Sequence, residues 1–267
     1  MRPVKITRLS PVGFCIYCGS VFGLSDEHVI PLALGGDLIL PKASCRQCTK
    51  ITGAIEGAVL HDMLGAMRNK FDLPCRNMKK RPNALPIQLI GSGEAKQISI
   101  PVQEYPPLIV LPNYSLPGIM RGVSGELTPK IYWYYVEKVG QKEREEFITK
   151  YGKRVRIKYP LDNLSFARFL AKVAHSFCVA ALGFPVFQSI LNDFILGEDM
   201  DQLRSPFYYV GGNADNGVRP AEETFHAISS EAQTIGATEY ILVKIIFFAH
   251  AGGPTYHIIV GTQPNQQ

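Results

Sequence analysis

The sequence has no apolar run long enough to cross a bilayer. Its best candidate, LSFARFLAKVAHSFCVAALG at 164–183, is interrupted by Arg168, Lys172 and His175. The N-terminal MRPVKITRLS carries charge but no apolar core behind it, so no signal peptide is read there and a cytoplasmic location is expected. Internal repeats and low-complexity tracts are also missing, apart from a polar end at 262–267, which excludes a repeat array. Charged residues are scarce at 19% against 46% apolar, the balance of a chain that buries a core rather than a disordered one. A length of 267 residues then suggests one large domain or two modest ones.

The charge that is present is unevenly placed. Residues 1–81 hold twelve Lys/Arg against six Asp/Glu, a surplus of +6, whereas the other 186 hold sixteen against seventeen. Concentrated basic charge points to a polyanionic partner; the plainer alternative is a solvated face that keeps the chain soluble.

Cysteine is sparse but patterned. Four of the six form two C-x-x-C pairs, Cys15/Cys18 and Cys45/Cys48, separated by a 26-residue spacer. Each pair can fold as a tight turn that aims two thiolates at one point, and two such turns make a closed tetrahedral zinc site with Zn–S near ~2.3 Å. Closed four-sulfur sites are structural and hold loop-rich segments that could not bury enough surface alone. The alternatives are four reduced buried cysteines or a redox pair, and the lack of a β-α-β context speaks against the latter. Cys178 lies in an apolar helical pattern and reads as core; Cys75, beside Pro74 and Arg76, reads as an incidental surface thiol.

Along the chain, apolar residues at helical spacing (Ile51, Ile55, Val59, Leu60, Met63, Met67) predict a helix over 51–71, ending before Pro74. Residues 1–75 are expected to form one small domain, 76–85 a basic linker, and 86–267 a larger α+β domain. In that domain IQLIGS, ISIPVQEY, LIVLP and IYWYYVEK read as strands, and FYYVGG at 207–212 as a strand end or turn. A charged stretch, KVGQKEREEFITKYGKRVRIK, precedes a helix over about 164–182, with Asp162 or Asn163 as cap and Gly183 and Pro185 as stop. A second helix is expected in VFQSILNDFIL, and an antiparallel hairpin from 239–250 and 255–261 joined by AGGP. The expected class is α+β: a small zinc-stabilised ββα-metal unit, then an α+β domain with an antiparallel sheet and two or more helices. His175 reads as a core residue, and His226, His250 and His257 are scattered. The aromatic run Tyr132–Tyr135 reads as a strand packed on both faces, with stacking on a base as the other reading.

Between the cysteine pairs lies SDEHVIPLALGG at 25–36. A carboxylate is a hard ligand suited to Mg²⁺ and a neutral imidazole can take a proton from water, but Glu27 and His28 would point apart in a plain strand, so only a local turn or bulge could bring them to one metal-bound water. CIYCG, DEHVIPLALGG and ASCRQC together resemble the HNH nucleases with the ββα-metal fold, in the group that reads C-x-x-C-G, E-H-I-x-P-x-x-L-G-G and C-x-x-C-N. The resemblance covers about residues 13–70.

It implies a metal-dependent endonuclease cutting nucleic acid, DNA being the expected substrate. Glu27 would be a ligand of Mg²⁺ or Mn²⁺, His28 the general base, and a residue of the helix after Cys48 a further ligand. The zinc would stay out of the chemistry. Two departures stand out: Thr49 replaces the usual Asn after the second C-x-x-C, and DLILPKAS lacks the Asn that orients the histidine. Glu56, seven positions beyond Thr49 on the same helix face, is the candidate substitute ligand. Lys42, Arg46, Lys50, Arg68, Lys70, Arg76, Lys79, Lys80 and Arg81 are candidates for phosphate contacts without sequence readout. A nuclease joined to a further domain suggests, by analogy, bacterial defence against phage; that domain could choose targets, bind a protein partner or a second copy, or sense a ligand. No membrane role is expected. The competing expectation is a zinc-containing nucleic-acid-binding or interaction protein whose cutting site has decayed.

Overall fold

The computed structural model describes residues 6–75, 79, 81–90, 94–106, 108–123, 131–137, 141–157, 160, 162–183, 187–198, 206–213 and 224–262. The chain is α+β, as its sequence predicts. The N-terminal unit is a three-stranded sheet followed by a helix. Strand β1 (Thr7–Arg8) runs parallel to β3 (Leu38–Cys45), and β2 (Leu24–His28) runs antiparallel to β3 on its other side. Helix α1 (Arg46–Gly57) begins directly at the end of β3, five residues earlier than helical periodicity predicts. It passes through a π-helical turn at Ala58–Met63 into α2 (Gly65–Lys70). The two glycines of LGG have separate reasons. Gly35 takes the left-handed conformation (φ 84°), and a Cβ on Gly36 would lie 2.0 Å from the Ile30 carbonyl oxygen.

Beyond this unit the described residues form three antiparallel sheets. Strands β4 (Ala84–Leu89), β5 (Lys96–Pro101) and β8 (Val155–Arg156) make one, in the order β5-β4-β8, and β6 (Leu108–Tyr114) pairs with β7 (Ile131–Glu137) in another. The charged stretch is helix α3 (Gln141–Tyr151). Helix α4 (Asn163–Leu182) is capped as expected: the Asp162 carboxylate accepts from the Ser165 backbone N–H at 3.0 Å, and Gly183 ends it. The largest sheet runs β10 (Val210–Asn213), β13 (Thr255–Thr262), β12 (Thr238–Phe247), β11 (His226–Ile235), with β9 (Gln188–Ser189) on the free end of β13. The second expected helix is shorter than its pattern. Gln188 and Ser189 pair with β13 instead, and only Asn192–Leu196 is helical, as α5. Strand β11 went unread because it is an edge strand whose Ser, Glu and Gln face solvent, so its alternation is polar with small apolar residues.

Helix α4 is the centre of the molecule. Phe166, Phe169, Leu170, Val173, Ala174 and Cys178 are all fully buried, against β12, β13, α5 and α1. Each large apolar side chain buried this way contributes about 2 kcal/mol. Among the described residues α4 is also the helix with the length and apolarity of a membrane span, and it is buried inside the core. One hydrophobic core runs from Cys15 and Val29 through α1 and α4 to Val260, so the N-terminal unit packs directly on the later elements.

Buried polar links tie these parts together. His175 Nε2 donates to the Ile16 carbonyl at 2.8 Å, the Tyr17 and Ser176 hydroxyls meet at 3.2 Å, and His226 Nε2 donates to the Leu34 carbonyl at 2.7 Å. Burial holds His175 down at about 4, well below an ordinary histidine. The unfolded chain therefore binds a proton near pH ~6.5 that the folded chain refuses, so stability is intact above pH ~6.5 and falls as pH drops towards 4. The loss from this residue reaches about 3 kcal/mol. The expected result is that a His175→Gln variant, which keeps a donor for Ile16, loses less melting temperature than the parent between pH 7 and 5. Identical pH slopes would contradict this origin.

Candidate functional site

The four sulfurs of Cys15, Cys18, Cys45 and Cys48 lie within 4.8 Å of one another. A tetrahedron with Zn–S of ~2.3 Å needs S···S edges of roughly 3.8 Å, and Cys18 and Cys45 are 3.7 Å apart. The first turn closes when the Gly19 N–H donates to the Cys15 carbonyl at 2.8 Å, with Gly19 at φ 76°. The second is the junction of β3 and α1, with Cys45 as the residue before the helix and Cys48 in its first turn. Three sulfurs are buried and Cys18 is exposed. Burial acts to raise the Cys45 thiol, but the Cys48 backbone N–H and the neighbouring sulfurs outweigh it and bring Cys45 down to about 7. A thiolate available near neutral pH within a four-sulfur cluster fits a zinc-type metal.

The Glu27–His28 step is built differently from the expectation. Ser25 pairs with Ser44, Glu27 with Leu40 and His28 with Ile39. The irregularity therefore inserts residues in β3, around Pro41–Ala43, where Lys42 sits at φ 51° and points outward. Between Glu27 and His28 the register is regular, and strand alternation sends their side chains to opposite faces. Glu27 faces the core and is 5% exposed. His28 shares the face of Asp26, which is exposed and pairs with Arg8 at 2.7 Å. Strand alternation by itself therefore does not bring the two side chains to one water.

What Glu27 meets is Lys172 of α4, which is 0% exposed. Its ammonium lies 2.5 Å from Glu27 Oε1 and 2.9 Å from Glu56 Oε1, and donates to the His28 carbonyl at 2.5 Å. All three of its protons have acceptors. Glu56 therefore reaches the same point as Glu27, as its helix position suggests, but the cation between them is an ammonium. The Tyr17 hydroxyl, bonded to Ser176, lies close enough to Glu27 to ease its ionisation slightly. Burial raises the Glu27 carboxyl despite the Lys172 charge beside it, and Lys172 is raised as well because Glu27 and Glu56 outweigh its desolvation. The residues expected to bind Mg²⁺ or Mn²⁺ thus do not fit a divalent ion while Lys172 is in place.

Thr49 lies elsewhere. Its hydroxyl donates to Ser44 Oγ and meets Ser25 Oγ, each at 3.0 Å, a small hydroxyl cluster beside Cys45.

The basic candidates also separate. Lys42, Arg46 and Lys50 are exposed around the cysteine cluster, and among the described residues no carboxylate pairs with them. Lys79 is exposed. Arg68 is buried and donates to the carbonyls of Ala33, Leu60 and Pro74, so its role is structural. Lys70 bonds the Gln103 carbonyl, and Arg81 is tied to Asp72 and the Leu73 carbonyl. Arg76 and Lys80 lie outside the described residues.

Sequence reasoning missed two features. One is Lys172, which with Arg168 is one of two charges amid the apolar residues of α4. The other is the tip after the first cysteine turn, where Phe22 is 81% and Val21 59% exposed, two residues before Leu24 pairs with Cys45.

No family model, curated protein or solved structure matches this chain.

Stripping the metal should be felt far beyond the cysteines, because Cys15, Cys45 and Cys48 belong to the shared core. Metal analysis is expected to return one zinc per chain, and a strong chelator to lower the melting temperature of the whole chain in one transition. Independent melting of residues 13–70 would contradict the shared core. Glu27→Ala, which leaves Lys172 with an acceptor missing in the interior, should cost about 3–5 kcal/mol in denaturant unfolding.

Proposed function

We propose that the chain is a zinc-stabilised nucleic-acid-binding protein built on an HNH-like ββα unit, and that it binds its target without cutting it. The observation that carries this reading is the pairing of two facts. Lys42, Arg46 and Lys50 are exposed cations beside the four-cysteine cluster with no carboxylate partner among the described residues, while the carboxylates that would hold a catalytic ion are committed to Lys172. The cations would neutralise phosphates along the backbone, and Phe22 at the neighbouring tip offers an apolar ring for an unstacked base. DNA is the expected target.

A second reading, a metal-dependent HNH endonuclease, is favoured by the convergence of Glu27 and Glu56 on a single cation position. It requires Lys172 to give way to a metal ion and His28 to turn towards the Glu27 face.

Gel shifts across a salt series test the first reading. Affinity for duplex and single-stranded DNA should fall steeply with salt. The triple variant Lys42→Glu/Arg46→Glu/Lys50→Glu should bind at least about tenfold more weakly and lower the log–log salt slope by roughly 2–3. Phe22→Ala should weaken single-strand binding by about 1–3 kcal/mol and duplex binding far less. Absence of binding at low salt refutes it. Plasmid nicking with Mg²⁺ or Mn²⁺ is expected to yield nothing; product that disappears in His28→Ala would establish the endonuclease instead.

A further inference from the structure

The buried polar groups around α1, β2 and α4 form one cluster that binding by surface cations does not use. Glu27 and Glu56 approach from two different elements of the N-terminal unit, and a third, α4, drives a lysine between them. The site has the donors of a hard-cation site: two carboxylate oxygens, a backbone carbonyl from His28, and the Tyr17 hydroxyl close by. It is enclosed on the Glu27 side, with Glu27 5% and Lys172 0% exposed, and opens towards solvent at Glu56, whose side chain is 25% exposed. Yet the position at the centre is taken by a nitrogen that lies within 3 Å of three of these oxygens.

We propose that the Lys172 ammonium is a permanent internal cation that takes the place of a divalent ion between Glu27 and Glu56, so that the folded protein carries zinc-type metal at its cysteines and no Mg²⁺ or Mn²⁺ at its carboxylates. An ammonium is a single positive charge with three directed protons, and three acceptors are arranged to receive them. A divalent ion could enter only if the lysine left, and α4 offers it nowhere to go. Phe166, Phe169, Leu170 and Val173 are fully buried on the same helix, and the polar side chains one turn on, His175 and Ser176, are neutral and already bonded to Ile16 and Tyr17, so a displaced ammonium would find no carboxylate to replace Glu27 and Glu56. The exchange is therefore closed to the wild-type chain, and opens only when the charge is removed from position 172. Removal leaves two carboxylates facing each other in the interior, which either bind a proton or recruit a cation from solution.

The test reads metal and stability rather than activity, so it is independent of whether the protein binds nucleic acid. Zinc-loaded wild-type protein is titrated with Mn²⁺ and followed by electron paramagnetic resonance, beside Glu27→Gln, Lys172→Met and Glu27→Gln/Lys172→Met. The wild type is expected to take up no Mn²⁺ that Glu27→Gln abolishes. Lys172→Met should gain one site per chain, at least about tenfold tighter than any wild-type binding, and its melting temperature should rise with added Mn²⁺. The double variant should lose both effects. Should Lys172→Met not fold unaided, it is refolded with and without Mn²⁺. Recovery of the native state only with the ion supports the inference, and failure in both conditions counts against it. A stoichiometric, Glu27-dependent Mn²⁺ site in the wild type overturns it, as does a folded Lys172→Met that ignores Mn²⁺.

Discussion

An ammonium group without solvent must find its solvation in the protein, and Lys172 finds it in three oxygens supplied by β2 and α1. This one requirement couples the ends of the sequence. The lysine lies in the central helix, 144 residues from the His28 carbonyl it bonds. Its partners lie on a small sheet and helix held at the other end by four cysteines. With two carboxylates for one ammonium, the cluster carries a formal surplus of negative charge, consistent with the raised Glu27 carboxyl and the raised Lys172. Replacing such a triad by apolar groups is often neutral, whereas breaking it by one member is costly, so it constrains docking geometry more than it adds stability.

The four-sulfur cluster and the triad divide the labour of shaping the N-terminal unit. The cluster fixes the turn at Cys15–Cys18 against the β3–α1 junction, which sets where α1 begins and hence where Glu56 emerges two turns beyond Thr49. The triad then fixes how that helix lies on α4. The same arrangement leaves the outer side of the cluster open, and there Lys42, Arg46 and Lys50 stand clear of any carboxylate among the described residues. Lys172 inside has an acceptor for every proton, and Arg8 and Lys244 on the surface have carboxylate partners, whereas Lys42, Arg46 and Lys50 have none among the described residues; that contrast underlies the binding proposal.

Much of this was legible in the sequence because it rests on local chemistry. The C-x-x-C spacing, the Asp162 cap, the Gly183 stop and the hairpin of β12 and β13 each depend on residues close in the chain. What escaped depends on partners far away. VFQSILNDFIL has helical spacing, yet β13 takes Gln188 and Ser189 as a strand because an edge was free to pair. The basic residues of the N-terminal third read alike as phosphate contacts, but Arg68 belongs to the interior, where three carbonyls need a donor, a role no count of charges reveals. Glu56 was found by its helical offset from Thr49; the cation it meets was not, since Lys172 declares itself only as one of two charges in an apolar helix.

The placement of the β3 irregularity decides most about chemistry at this site. Extra residues at Pro41–Ala43 turn Lys42 outward and leave Glu27 and His28 in regular alternation. Had the insertion fallen in β2 between those two residues, both side chains could have shared one face, with an imidazole beside a carboxylate-bound ion. In the chain as it stands, Glu27 is turned to Lys172 and His28 away from it. A hydrolytic centre would need base and electrophile within a few ångströms of one water, and regular strand alternation does not supply that approach. The cysteine frame and the Lys172 triad thus hold the N-terminal unit on α4 together, with the two carboxylates engaged by an internal ammonium.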